Sequence, residues 1–104
     1  MSSDDLDALP YGVVGLTSDG MVEIYNATES RMAGLPRASV MHTAFFLATA
    51  QCMNNFMVAQ RLADEPTLDV TLPYILTFRM RPTPVTLRLL KAESTPRSYL
   101  LIRR

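Results

Sequence analysis

Residues 9–17 (LPYGVVGLT) form an apolar, β-branched run, and residues 21–25 (MVEIY) form a second one. Ser18-Asp19-Gly20 stands between them as an Asp-Gly turn signal, so the two runs are predicted to pair as a β-hairpin. Asn26-Ala27-Thr28-Glu29 then reads as a helix start, because an Asn side chain can accept from the backbone N–H groups of the first turn. Gly34 and Pro36 stop that helix early. Residues 39–50 (SVMHTAFFLATA) are apolar without clean alternation and predict one or two short helical turns. Asn54-Asn55 offers a second cap before a segment in which Phe56, Ala59 and Ala63 share a face at helical spacing, closed by Asp64-Glu65-Pro66.

Three strand candidates follow, at residues 68–80, 84–91 and 98–103. In the second, Val85, Leu87 and Leu89 alternate with Thr86, Arg88 and Leu90, as a half-buried strand does. Pro82-Thr83-Pro84 and Ser94-Thr95-Pro96-Arg97 are the expected turns. The order of hairpin, helical middle and three-stranded meander predicts an α+β fold. Five antiparallel strands would carry the helical segment across one face, with a small internal pocket between the layers. No repeat, linker or low-complexity stretch interrupts the chain. Residues 1–104 are expected to form one domain, with residues 1–8 a short N-terminal extension.

Composition agrees with a packed core: 48% of the 104 residues are hydrophobic and 19% charged. Ten Lys+Arg balance ten Asp+Glu, so net charge argues for neither nucleic acid nor a membrane surface as partner. Six of the ten acids precede Ser30 and seven of the ten bases lie from Arg79 onward, a bias that solvated faces of opposite sign would explain. Arg79 and Arg81 flank Met80 and would share one strand face, but without interleaved aromatics they make no nucleic-acid patch. No apolar run approaches the ~20 residues of a membrane span. Met1-Ser2-Ser3-Asp4-Asp5 does not read as a signal peptide, and a soluble cytoplasmic domain is expected.

Cys52 is the single cysteine, which excludes an internal disulfide and a cysteine-rich zinc site. Free cysteines are most often buried small hydrophobes. A catalytic thiolate needs a base and an orienting group, and His42, the only histidine, stands in no cysteine-protease signature, so neither an enzyme nor a metal site is expected. Tyr25 and Glu29 lie four apart across a strand-to-helix junction, where both side chains can look at the same space. Taken singly, Tyr25 reads as ordinary core and Glu29 as a first-turn carboxylate suited to the helix dipole. The seven methionines read as core filling.

Taken together these residues say more. Leu9-Pro10-Tyr11-Gly12-Val13-Val14, Asp19-Gly20, Tyr25-Asn26-Ala27-Thr28-Glu29, Phe45-Phe46, Ala50-Gln51-Cys52 and Phe78-Arg79-Met80-Arg81-Pro82-Thr83 closely resemble the photoactive yellow protein branch of PAS domains. The resemblance runs from about Leu9 to the end of the chain and implies the PAS fold. It further implies a 4-hydroxycinnamoyl (p-coumaric acid) chromophore held as a thioester on Cys52, its phenolate bound by Tyr25 and a protonated Glu29. Phe45 and Phe78 would line the pocket and Met80 would assist thermal recovery. A buried phenolate keeps its charge only if donors replace its lost water, and burial beside it favours a neutral carboxyl. Light-driven isomerisation and proton transfer would then leave an uncompensated carboxylate that loosens the domain, which is the signal.

The chain departs from the family pattern at four places. Ala33 stands where the family usually has a supporting threonine, Leu35 where it has a covering arginine, and Gln51 where it has a proline before the cysteine. The family's N-terminal cap is almost absent before Leu9. These departures motivate a second reading, a non-photoactive PAS domain that senses another small ligand or pairs with a second copy or a downstream signalling protein through an exposed apolar sheet face.

Overall fold

The computed structural model describes residues 3–78 and 81–104. The hairpin forms as expected, from β1 (Gly12–Leu16) and β2 (Val22–Tyr25), with Val14 opposite Tyr25 and a bulge between Gly15 and Leu16. Before it, residues of the N-terminal extension form a short helix, α1 (Ser3–Asp7). Asn26 caps α2 (Ala27–Ala33) as its sequence position predicts: its Oδ1 accepts from the Glu29 N–H. Gly34 ends α2 in the left-handed region, at φ 72°, where a residue without Cβ is unstrained.

The apolar middle is helical but irregular. It runs through α3 (Arg37–Val40), a π-helical turn at Phe45–Thr49, a 3₁₀ turn at Gln51–Met53 and α4 (Ala59–Asp64). Phe56 lies outside α4 and is 77% exposed, so the expected Phe56–Ala59–Ala63 face is wrong. Val58 and Leu62, four apart, supply the buried side instead. The expected cap at Asn54-Asn55 does not form: the N-cap position is Val58, with no side-chain cap, and Asn55 Oδ1 instead accepts from the N–H groups of Met57 and Val58 in the turn before the helix.

The meander consists of β3 (Leu68–Phe78), β4 (Arg81–Lys91) and β5 (Ser98–Arg103). All pairings are antiparallel and the sheet order is β2-β1-β5-β4-β3, which puts the two chain halves side by side through β1 and β5. Pro82 and Pro84 do not form a turn. They lie within β4 opposite Thr77 and Ile75, on the stretch where β4 has β3 alone as partner, because the β5 ladder begins only at Thr86. A residue with no N–H is tolerated in a strand paired on one side only.

The period-2 pattern of β4 decides the layering. Val85, Leu87 and Leu89 face inward with Leu76, Leu100 and Ile102, against Val40, Phe45, Met53, Val58 and Leu62 of the helical side. On the outward face the pattern is largely polar, with Asp69 paired to Arg88, Thr71, Thr86 and Arg103. Ile75, 60% exposed, is the large apolar exception on β3. The expected apolar sheet face is thus not what β3 presents, whereas half-buried Leu90 of β4 lies on the outward side with Tyr99 and Leu101 of β5.

Candidate functional site

Asn26 organises the junction between β2 and α2. Buried at 2% exposure, it accepts from the N–H groups of Val13 and Glu29 and donates through Nδ2 to the carbonyls of Leu6 and Tyr11. Thr28 Oγ1 donates to the Leu9 carbonyl, and Asp7 accepts from the Ala27 N–H and from Arg37. These bonds pin α1, β1 and α2 to one another. Hydrogen bonding to Arg37, then to the Ala27 N–H, holds the Asp7 carboxyl below its usual range.

That frame presents Tyr25 from the end of β2 and Glu29 from the first turn of α2, 3% and 1% exposed. Burial pushes the Tyr25 phenol well above its usual range; the nearby Glu29 charge adds to the shift and Arg104 opposes it. The two side chains thus share one electrostatic environment, as their spacing suggested. A Cβ at position 12 would overlap Glu29 Oε1, so the carboxyl occupies the space that the bare backbone of Gly12 leaves.

Sequence reasoning missed Arg104. Its guanidinium meets Glu29 fork to fork, Nη1 donating to Oε1 at 2.7 Å and Nη2 to Oε2 at 3.1 Å. Both carboxyl oxygens of Glu29 thus accept from one guanidinium. The signal was available: Leu100, Ile102 and Arg104 have the same parity in and just past β5, so Arg104 continues the inward row.

Cys52 sits in the 3₁₀ turn, half-buried and packed against the same core that contains Tyr25 and Phe45. Its backbone carbonyl accepts from Tyr74 Oη at 2.7 Å and from Asn55 Nδ2 at 3.2 Å, and Asn55 also donates to Tyr74 Oη. Tyr74 on β3 thereby fixes the turn that carries the thiol. Phe45 is 1% exposed and stacks edge to face with Phe46, ring centres 5.3 Å apart. Ala33 is buried, Leu35 packs on the core, and exposed Gln51 donates to the Leu47 carbonyl. The backbone of Phe78 ends β3, while Met80 and Arg79 lie outside the described residues.

Other candidate chemistry is sparse. His42 is exposed. Among the described residues no group of three or more His, Cys, Asp or Glu is arranged to hold a metal ion, and no helix is long and apolar enough to cross a membrane. A cavity of about 570 Å³ opens between the hairpin turn, the π-helical turn and α4, bordered by Phe46, Phe56, Leu62 and Lys91.

This architecture, an antiparallel five-stranded sheet with short helices laid across one face, is the PAS fold. It superposes on the PAS domain of an HTR-like protein from Haloarcula marismortui with TM-score 0.77 at 15% identity, covering 97% of this chain and 91% of that one. It matches the photoactive yellow protein domain of the sensor histidine kinase Ppr from Rhodospirillum centenum much more closely, with TM-score 0.91 and 31% identity over 100% of this chain and 94% of that domain. A photoactive yellow protein from Halochromatium salexigens is 28% identical over 100% of this chain and 86% of its own length. No protein-family profile matches the chain. The chain belongs to the photoactive yellow protein-like PAS domains.

Proposed function

We propose that this PAS domain is a blue-light sensor carrying a p-coumaroyl group as a thioester on Cys52. The observation that carries the reading is a buried phenol and a buried carboxyl, Tyr25 and Glu29, set in one environment against the core that Cys52 also touches. The residues fit such a group: a half-buried thiol at one end, hydrogen-bonding groups for a phenolic oxygen at the other, and the Phe45 ring in the same core. When bound, the group supplies light absorption and isomerisation about its double bond.

The chain's own residues do the rest. The Cys52 sulfur would hold the acyl group by displacing the leaving group of an activated acyl donor, which departs with the thiol proton, and the Tyr74–Asn55 clasp on the Cys52 carbonyl fixes the turn that carries the sulfur. Tyr25, whose burial keeps its proton bound, would donate to a phenolic oxygen. Glu29 is the second contact and the site of proton exchange, and Leu35 packs over the core where the family has an arginine. Phe78 and Met80 are assigned to the pocket by their place in the family pattern. The domain acts as a sensor, not as an enzyme, and passes its state to a downstream signalling protein.

The test is incubation of the purified protein with an activated p-coumaroyl donor, followed by mass spectrometry and an absorption spectrum. A coumaroyl adduct on Cys52, absent in Cys52→Ser, with a band that bleaches under illumination, is the expected result. No adduct, or a visible band that survives in Cys52→Ser, ends the reading.

A further inference from the structure

The cavity of about 570 Å³ between the hairpin turn, the π-helical turn and α4 is bordered by none of Tyr25, Glu29, Phe45 or Cys52. Its volume is that of a small-molecule pocket, not of a packing defect. Five large apolar side chains are exposed among the described residues, and two of them border this cavity: Leu47 at 67% and Phe56 at 77%. Half-buried Phe46 and Ala59 extend the same apolar wall. Two such side chains facing one concavity make an apolar surface that an occupant would take out of water.

The polar wall contains a cation with donors to spare. Lys91, the single lysine of the chain, is half-buried at the end of β4. Its Nζ donates to the Leu62 carbonyl of α4 at 2.6 Å, which holds the ammonium at the wall that both residues line. That carbonyl is one of those a helix end leaves open. An ammonium has three N–H donors, so the bond leaves two. None of the five ion pairs among the described residues includes Lys91. Arg97 also borders the cavity, but its Nε is committed to Glu23. Asp19, the acid on the border, forms no ion pair with Lys91 among the described residues, and Asp64 and Glu65 at the end of α4 are bonded to Gln60 and Arg61.

We propose that this cavity is a second ligand site, which takes a small aromatic carboxylate, its ring against Phe46, Leu47 and Phe56 and its carboxylate on the free N–H groups of Lys91. The proposal goes beyond the light-sensor reading and uses none of that site's residues. The ring removes Leu47 and Phe56 from water, and the charge-assisted bond to Lys91 sets the ligand's orientation. A bare inorganic anion gains only the second of these and a neutral aromatic only the first. The site therefore selects molecules that carry both, an apolar body and an anionic head.

The experiment titrates naphthylacetate and its uncharged analogue naphthylacetamide into the purified protein and follows the backbone N–H resonances. Saturable shifts at Gly20, Phe56 and Ala59 are expected, with the carboxylate binding about tenfold tighter than the amide. K91Q should erase that preference and K91R should keep it. L47A/F56A, which alters only exposed side chains, should weaken both probes alike. Cys52→Ser should bind both as the unsubstituted protein does, which separates this site from the thioester site. Shifts that do not saturate, shifts centred on Tyr25 and Cys52, or affinities untouched by L47A/F56A overturn the proposal. So does a preference for the carboxylate that survives in K91Q.

Discussion

The two ends of the proposed site are built in different ways. At the Tyr25–Glu29 end, four hydrogen bonds of one buried side chain, Asn26, lock a strand, a helix start and the segment before β1 into a single arrangement. At the Cys52 end, the thiol rides on a 3₁₀ turn that follows a π-helical turn, and the ties to β3 are two side chains reaching one backbone carbonyl. The contrast teaches that the end handling protons is rigidly framed, while the attachment end follows a backbone with few regular bonds of its own. Short irregular turns yield more readily than capped helices.

The largest way to break this comparison is Asn26→Ala. It removes the cap of α2 and leaves the buried Val13 N–H without its acceptor, so unfolding should show a loss of about 2–4 kcal/mol. A loss under about 1 kcal/mol would mean the framing is not centred there. Next comes Tyr25 and alkaline pH. Because burial raises its proton affinity in the fold, its contribution to stability is complete below the ordinary phenol range near ~10 and is lost as pH rises above it. Stability of the unsubstituted protein should fall by up to about 1.4 kcal/mol per pH unit in that window, and Tyr25→Phe should flatten the fall; equal slopes would refute the assignment.

Tyr74→Phe sharpens the other end. Loss of the hydroxyl should cost about 1 kcal/mol, and the rate at which Cys52 reacts with a thiol reagent should rise, because its turn loses the tie to β3. An unchanged rate would show that Asn55 alone holds the turn. The smallest effect belongs to Arg88→Ala, whose partner Asp69 is on the solvated outer face. No resolvable change in unfolding is expected, and a clear loss would show that the outer face takes part in holding the sheet.

The same contrast governs what could be read from the sequence. The hairpin, the capped helix α2 and the strand β4 were legible because each carries a strong local device: Asp19-Gly20, Asn26 with Gly34, and the alternation of Val85, Leu87 and Leu89. Tyr25 and Glu29 emerged from that same region. The segment around Cys52 was less legible, since π and 3₁₀ turns have no hydrophobic period of their own, and Phe56 was drawn into a helix that begins only at Ala59. Asn55 and Tyr74 escaped because their contact spans 19 residues. Arg104 escaped for another reason: the second of two arginines after an apolar strand reads as solvated surface until strand parity is carried one residue past the strand.

The proline placement in β4 has a consequence for encounters between molecules. Residues before Thr86 have no β5 neighbour, so that side of the strand is open backbone, the kind of edge onto which another chain's strand can zip. Pro82 and Pro84 fall within that open stretch and have no N–H to offer, and Pro73 repeats the device on the outermost strand, β3. An incoming strand would meet missing donors where its carbonyls need them, so intermolecular sheet growth is blunted at the margin where it would start.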